Sequence, residues 1–157
     1  MNNKILITQE GYLAKDRELS ELLKLRPDVV DRIKETRVGN LGENQEYIQA
    51  LEEQDRLEEK INLLNSKLQN YTVVDISKIN NDGVVRFGMI VTVIDLDTNE
   101  ELSYQIVGED ESDAGNSKIS YRSPMAKELI GKKVGDEFDV RIPNGWRTLE
   151  IKSLKTS

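Results

Sequence analysis

From Tyr47 to Tyr71 the chain runs for about seven helical turns without a proline or a glycine. Within it Tyr47, Leu51, Leu57, Ile61, Leu64, Leu68 and Tyr71, with Gln54 as the polar member, recur at steps of three and four. The glutamates and lysines between them fall on the remaining faces. That spacing predicts one long amphipathic helix with an a/d seam, and it excludes a strand, whose side chains alternate with a period of two. At 1.5 Å per residue the rod is on the order of 40 Å long. A helix with one apolar stripe needs a partner of similar length, and the preceding segment supplies a candidate. From Tyr12 to Arg37, Leu19, Leu22, Leu23, Val29, Val30 and Ile33 again follow steps of three and four. Thr8, ahead of Gln9, Glu10 and Gly11, suits the start of this helix after a lead-in from Ile5. Pro27 lies inside the pattern, removes a helical hydrogen bond and clashes with the preceding turn, so a kink or break is expected near Leu25–Arg26.

The two rods meet at Arg37–Tyr47, which holds the only glycines between Gly11 and Gly83, namely Gly39 and Gly42. Two glycines so close together, one beside Asn40, let the backbone reverse. An antiparallel hairpin tipped by residues 38–46 is the predicted arrangement. A rod of that length is a probe, because a compact domain of 157 residues has no need of such reach. Periodicity alone also fits a plain coiled-coil dimerisation module.

After Tyr71 the pattern alternates. Strands are expected at Val84–Phe87, Met89–Ile94, Leu102–Val107, Lys118–Tyr121, Glu137–Ile142 and Arg147–Lys152, with hairpin turns at Asp97–Glu100 and Pro143–Gly145. A short helix fits Pro124–Ile130, with Ser123 as N-cap, Pro124 in the first turn and Gly131 as stop. The fold class is therefore α+β: a helical hairpin over residues 1–76, then a small antiparallel-sheet domain with one helix over residues 77–157.

Composition removes several chemistries. With no Cys and no His, disulfides, thiolate zinc sites and Cys–His or Ser–His–Asp nucleophiles are absent. A net charge of −7 argues against a general nucleic-acid coat, so contact with nucleic acid has to be local or directed by a protein partner. No signal-like or membrane-spanning run is visible, and a cytoplasmic location is the expectation.

The tip Gly39-Asn40-Leu41-Gly42-Glu43-Asn44-Gln45-Glu46-Tyr47 resembles that of the Gre transcript-cleavage factors, whose usual form is G-D-L-x-E-N-x-E-Y. Further resemblances follow in the family's order: Phe87-Gly88, Ile106-Val107-Gly108 through Glu111, Ile119-Ser120, Ser123-Pro124, Leu129-Ile130-Gly131-Lys132 and Gly135-Asp136. The likeness covers nearly the whole chain, and its GreA branch fits best. It implies an FKBP-like globular domain that docks on bacterial RNA polymerase, with Ser123, Pro124 and Met125 in the docking region. It also implies a hairpin that descends the polymerase's secondary channel. There the tip acids help hold a second Mg²⁺ and position a water, so that the polymerase cuts the 3′ end of a backtracked transcript. On this resemblance the chain is an accessory factor and no enzyme itself. It binds no cofactor stably alone, works as a monomer, and meets RNA and template DNA only within the elongation complex.

Carried over residue by residue, Glu43 is the expected Mg²⁺ ligand and Asn40 stands where the family has aspartate. Gly39, Leu41, Asn44, Glu46 and Tyr47 support the tip, and Lys34 with Arg37 face RNA. The turn is one residue shorter than the family pattern, and Leu51 occupies a position where arginine is usual. Asn offers a neutral oxygen where Mg²⁺ prefers a carboxylate, so the ion site should be weaker. Two functions remain open: stimulation of cleavage, or occupation of the channel without cleavage, as an inhibitor or pausing modulator. Each residue also has a plain role: Asn40 as turn former, Glu43 and Glu46 as first-turn acids, Asn44 as cap, Lys34 and Arg37 as solvated cations, Tyr47 as seam packing. Prolyl isomerase activity in the second half is a weaker third reading, given its few aromatics: Phe87, Tyr104, Tyr121, Phe138 and Trp146.

Overall fold

The computed structural model describes residues 4–156. It separates into a helical unit, Tyr12–Tyr71, and a sheet unit that joins the segment through Gly11 to the chain from Thr72 onward.

The helical unit is a hairpin. Its outgoing limb consists of α1 (Gln9–Lys24) and α2 (Arg26–Thr36), and its return limb is α3 (Gln45–Asn70). The Thr8 hydroxyl accepts from the Gly11 N–H at 3.1 Å and caps α1. The break falls where Pro27 predicts it, at Leu25. Leu25 stays right-handed (φ −78°, ψ −19°), and its N–H donates to Leu22 O at 3.1 Å, a tightened turn. Pro27 thus sits in the first turn of α2, where its missing N–H costs little.

Because the break takes a single residue, the apolar stripe stays in phase across it. Val29, Leu57 and Ile61 form the buried centre, with Leu19, Leu22 and Ile33 packed around them. On α3 the seam corrects the expectation at one position. Leu51 is 36% exposed, whereas Ala50 is 2% exposed. With Ala50 in place, positions 47, 50, 54, 57, 61, 64 and 68 alternate strictly by three and four, as knobs-into-holes packing requires. Leu23 and Val30, each 38% exposed, likewise lie off the outgoing stripe. Ion pairs flank the seam: Arg26 binds both oxygens of Glu58 at 2.8 Å, and Arg32 pairs with Glu53. Tyr12 and Tyr71 meet edge to face, 6.5 Å between ring centres.

The sheet unit contains β3 (Ile90–Asp95), β4 (Glu101–Val107), β5 (Lys118–Ser120), α4 (Pro124–Leu129), β6 (Glu137–Ile142) and β7 (Gly145–Lys155). The sheet order is β5-β4-β3-β7-β6. All neighbours are antiparallel except β4–β5, which pair in parallel, so the expected all-antiparallel sheet is mixed at that edge. The inward positions Val91, Val93, Ile106, Phe138, Val140, Leu149 and Ile151 pack against Ala126 and Leu129 of α4. Val84–Phe87, where alternation predicts a strand, forms none. It makes an isolated bridge at Val84 and backbone bonds between Val85 and the 131–132 turn, yet Val85 is 1% exposed and belongs to the core.

A second sheet, β1 (Ile5–Thr8) with β2 (Tyr71–Val74), draws the N-terminal segment into this unit. The boundary expected at 76/77 accordingly lies at Tyr71–Thr72. Glu111 explains the attachment. Its carboxylate accepts from Thr8 N–H at 2.9 Å, from Gly108 N–H at 2.8 Å, and from the Thr8 hydroxyl. A Cβ on Gly11 would overlap that carboxylate, and one on Gly108 would overlap Leu6 O. Glycine at both positions is what lets loop, strand and helix start close together.

Candidate functional site

The hairpin reverses over Arg37–Asn44. At the end of α2 the Thr36 hydroxyl turns back on Arg32 O (2.7 Å) and Ile33 O (3.2 Å), which closes the last helical turn. The Val38 N–H donates to Thr36 O at 2.8 Å, and Gly39 then takes φ +69°, the left-handed conformation that glycine adopts without strain. A 3₁₀ turn follows at Leu41–Glu43. Asn40 caps it: its side-chain oxygen accepts from Gly42 N–H at 3.1 Å, and its carbonyl accepts from Glu43 N–H at 3.1 Å. Asn40 is therefore a turn former whose side-chain oxygen is already engaged.

Asn44 does more than cap. Its carboxamide oxygen accepts from Tyr47 N–H at 3.0 Å, at the start of α3. Its amide group donates to Thr36 O at 2.7 Å and Val38 O at 3.0 Å, at the end of α2. One side chain thus caps the start of α3 and bonds to the backbone at and just past the end of α2. The Asn-x-x-Tyr spacing signals the cap, whereas the reach back to α2 depends on the turn geometry and has no sequence signal.

Between these two asparagines stands Glu43. It is exposed, and among the described residues its carboxylate accepts no hydrogen bond and makes no ion pair. Glu46 is exposed in the first turn of α3, while Leu41 and Tyr47 are half-buried beneath the tip. Lys34 and Arg37 are exposed and, among the described residues, unpaired, unlike Arg26 and Arg32 farther down the rod. The exposed carboxylates of Glu43, on the hydrogen-bonded loop, and Glu46, in the first turn of α3, thus lie near the reversal, with Lys34 in the last turn of α2 and Arg37 just after it.

A hard oxygen from Glu43 suits Mg²⁺, but one carboxylate does not make a cage. Among the described residues no cluster of three or more metal-binding side chains is present. An ion held at Glu43 would need most of its ligands from elsewhere.

In the sheet unit, Ser123 caps α4 by accepting from Ala126 N–H at 3.2 Å. Pro124 is exposed, and Met125 packs half-buried against the core. These residues build a helix start, and that role explains them locally.

A long helical hairpin thus carries an exposed, unpaired carboxylate at its reversal and is joined to a separate sheet unit. The chain belongs to the GreA/GreB family of transcription elongation factors. The family's N-terminal model matches residues 5–73 and its C-terminal model residues 80–156. Among curated relatives, "Transcription elongation factor GreA" of Vibrio vulnificus is 45% identical over 153 residues, spanning 97% of this chain and 98% of the relative. The protein of the same name from Maricaulis maris is 46% identical over 154 residues, with the same coverage. That from Francisella philomiragia is 47% identical over 156 residues, covering 98% of each. The solved GreA factor homologue Gfh1 of Thermus thermophilus is 24% identical and superposes with a TM-score of 0.43 over 98% of this chain and 99% of that one. An overlap that loose carries no weight for the chemistry of the tip.

Proposed function

We propose that this GreA-type elongation factor inserts its hairpin tip into the active centre of bacterial RNA polymerase and stimulates cleavage of the 3′ end of backtracked transcripts. The carrying observation is Glu43: a carboxylate with no partner of its own, on a tip whose backbone is held by side-chain caps on both flanks. A carboxylate aimed at a shared site can complete the oxygen shell of a divalent ion, and Mg²⁺ held there would polarise the phosphate and activate the attacking water. Glu43 would supply one charged oxygen. Asn40, with its side-chain oxygen engaged by Gly42, would supply turn geometry more readily than a ligand. Lys34 and Arg37 are free to neutralise RNA phosphate near the 3′ end. The sheet unit would dock on the polymerase through the start of α4, around Ser123, Pro124 and Met125. In this reading the factor is an accessory that activates the polymerase's nuclease. It acts in the cytoplasm as a monomer on the enzyme, touching RNA and template DNA only within the complex.

The test uses backtracked elongation complexes with Mg²⁺, following 3′-end cleavage and nucleotide addition as the factor is titrated. Cleavage well above the polymerase's intrinsic rate, lost in Glu43→Gln, is the expected result. Slowed addition without cleavage would overturn the proposal, because the tip would then be an obstruction.

A further inference from the structure

We infer that Asn44 is the positioning residue of the tip: its carboxamide, by bridging the end of α2 to the start of α3, sets where the Glu43 carboxylate stands. The inference rests on the proposed cleavage function and adds to it the means by which the unpaired Glu43 carboxylate is held in place.

Among the described residues the Glu43 side chain makes no hydrogen bond and no ion pair, so its placement comes from its backbone. That backbone has two attachments. On the N-terminal side, Glu43 N–H donates to Asn40 O at 3.1 Å, a bond internal to the turn that moves with it. On the C-terminal side the next residue is Asn44, whose side chain bonds to both rods: Thr36 O at 2.7 Å, Val38 O at 3.0 Å and Tyr47 N–H at 3.0 Å. Of the described tip residues, it is the one whose side chain spans the reversal. The backbone of Asn44 is also fixed, with its N–H on Leu41 O at 3.3 Å and its carbonyl accepting from Ile48 N–H at 3.0 Å.

The chemistry demands an amide of this length. Both hydrogens of the NH₂ group are used, one on the Thr36 carbonyl at the end of α2 and one on the Val38 carbonyl beyond it, and the oxygen is used on a helix N–H. Aspartate keeps the cap to Tyr47 but has no hydrogen to give, and it brings a negative charge toward two carbonyl oxygens. Serine keeps a cap and cannot span. A plain N-cap would tolerate both, because Ser, Asp and Asn cap about equally well. A bridge tolerates neither, and that difference separates the two roles.

The experiment compares the parent with Asn44→Asp, Asn44→Ser and Glu43→Gln, in two arms. The first arm uses the free protein and measures amide exchange and backbone relaxation through residues 37–48. In Asn44→Asp the Tyr47 amide should keep its protection, while backbone order falls at Glu43 and at Val38, whose carbonyl loses the Asn44 amide donor. The second arm measures cleavage in backtracked complexes against factor concentration. Both Asn44 variants should lose about tenfold or more in maximal cleavage rate, since a displacement of about 1 Å can cost about a hundredfold. Half-saturating concentration should stay within about threefold of the parent, because one hydrogen-bonded side chain at the tip leaves the docking surface intact.

Parental order at the tip in Asn44→Asp would overturn the inference, whatever the polymerase does. So would undiminished maximal cleavage in that variant, or a loss confined to half-saturation. If the parent itself fails to stimulate cleavage, the functional reading fails, and the inference that Asn44 aims Glu43 for catalysis falls with it. The first arm would then identify the fault as lying in the function and not in the tip's geometry.

Discussion

Glu111 is the side chain on which the attachment of the N-terminal segment most depends, and its removal gives a quantitative test. In Glu111→Ala, Thr8 N–H and Gly108 N–H lose their acceptor, as does the Thr8 hydroxyl. Thr8 is 3% exposed and Gly108 is buried, so water reaches these donors poorly. A buried donor left without a partner costs about 1–3 kcal/mol. Two such backbone donors, with some relief from water entering the vacated space, should cost about 2–4 kcal/mol. Glu111→Gln fills the same volume, and because both N–H groups bond to one carboxylate oxygen, Oε2, a single amide oxygen placed there keeps both, so a loss well below that of Glu111→Ala is expected. The assay is urea unfolding by far-ultraviolet circular dichroism, with amide exchange at Thr8 and Gly108 assigning the change to the sheet unit. The two units give no guarantee of a single two-state transition, which makes the residue-level readout necessary. A Glu111→Ala protein within about 0.5 kcal/mol of the parent, the range of an ordinary surface substitution, would refute the reasoning. So would unchanged exchange at both amides.

Three other outcomes are expected. Asn40→Asp should keep the cap on Gly42 and alter stability by no more than about 0.5 kcal/mol, as Asp and Asn cap similarly. Its cleavage rate should rise about tenfold or more if the second charge is what the tip lacks, and an unchanged rate would assign the deficit to the turn's shape. Ala50→Leu should destabilise the hairpin by about 1–3 kcal/mol through overpacking, whereas Leu51→Ala should cost less than about 1 kcal/mol. Thermal unfolding of the two variants decides between this seam and one through Leu51. The hydrogen bonds from Arg26 hold the Glu58 carboxyl below its ordinary value of 4.5. A carboxylate with a depressed folded value stabilises above its unfolded pKa and loses that contribution as pH falls through the folded one. Acid titration from pH 5 downward should therefore soften the parent hairpin more steeply than Glu58→Gln, by a small, salt-sensitive margin because the pair is exposed. Parallel acid titration curves would count against the pair.

Much of this protein is determined within short stretches of sequence. Helical periodicity and the absence of glycine and proline specify α3, Pro27 specifies the break at Leu25, and alternation with turn residues specifies β3, β4, β6 and β7. Ser123, Pro124 and Gly131 bound α4 for reasons of capping and backbone conformation alone. The tip is legible in the same way, since Gly39, Asn40 and Asn44 are residues that turns and caps require. What tertiary structure decided are the choices between near-equal local options. Hydrophobicity favours Leu51 for the seam, but the phase set by Leu57, Ile61 and Leu64 brings Ala50 inward. Alternation favours a strand at Val84–Phe87, yet Val85 reaches the core from an irregular segment bonded to the 131–132 turn and not from a ladder. Proximity in sequence assigns Ile5–Thr8 to the hairpin, but pairing with β2 and the bonds to Glu111 assign it to the sheet unit. The bridge from Asn44 to Thr36 spans eight residues and forms only when both rods have packed and the turn has closed. Local sequence sets which conformations are inexpensive, and the partners that settle the choice arrive only when distant segments of chain are brought together.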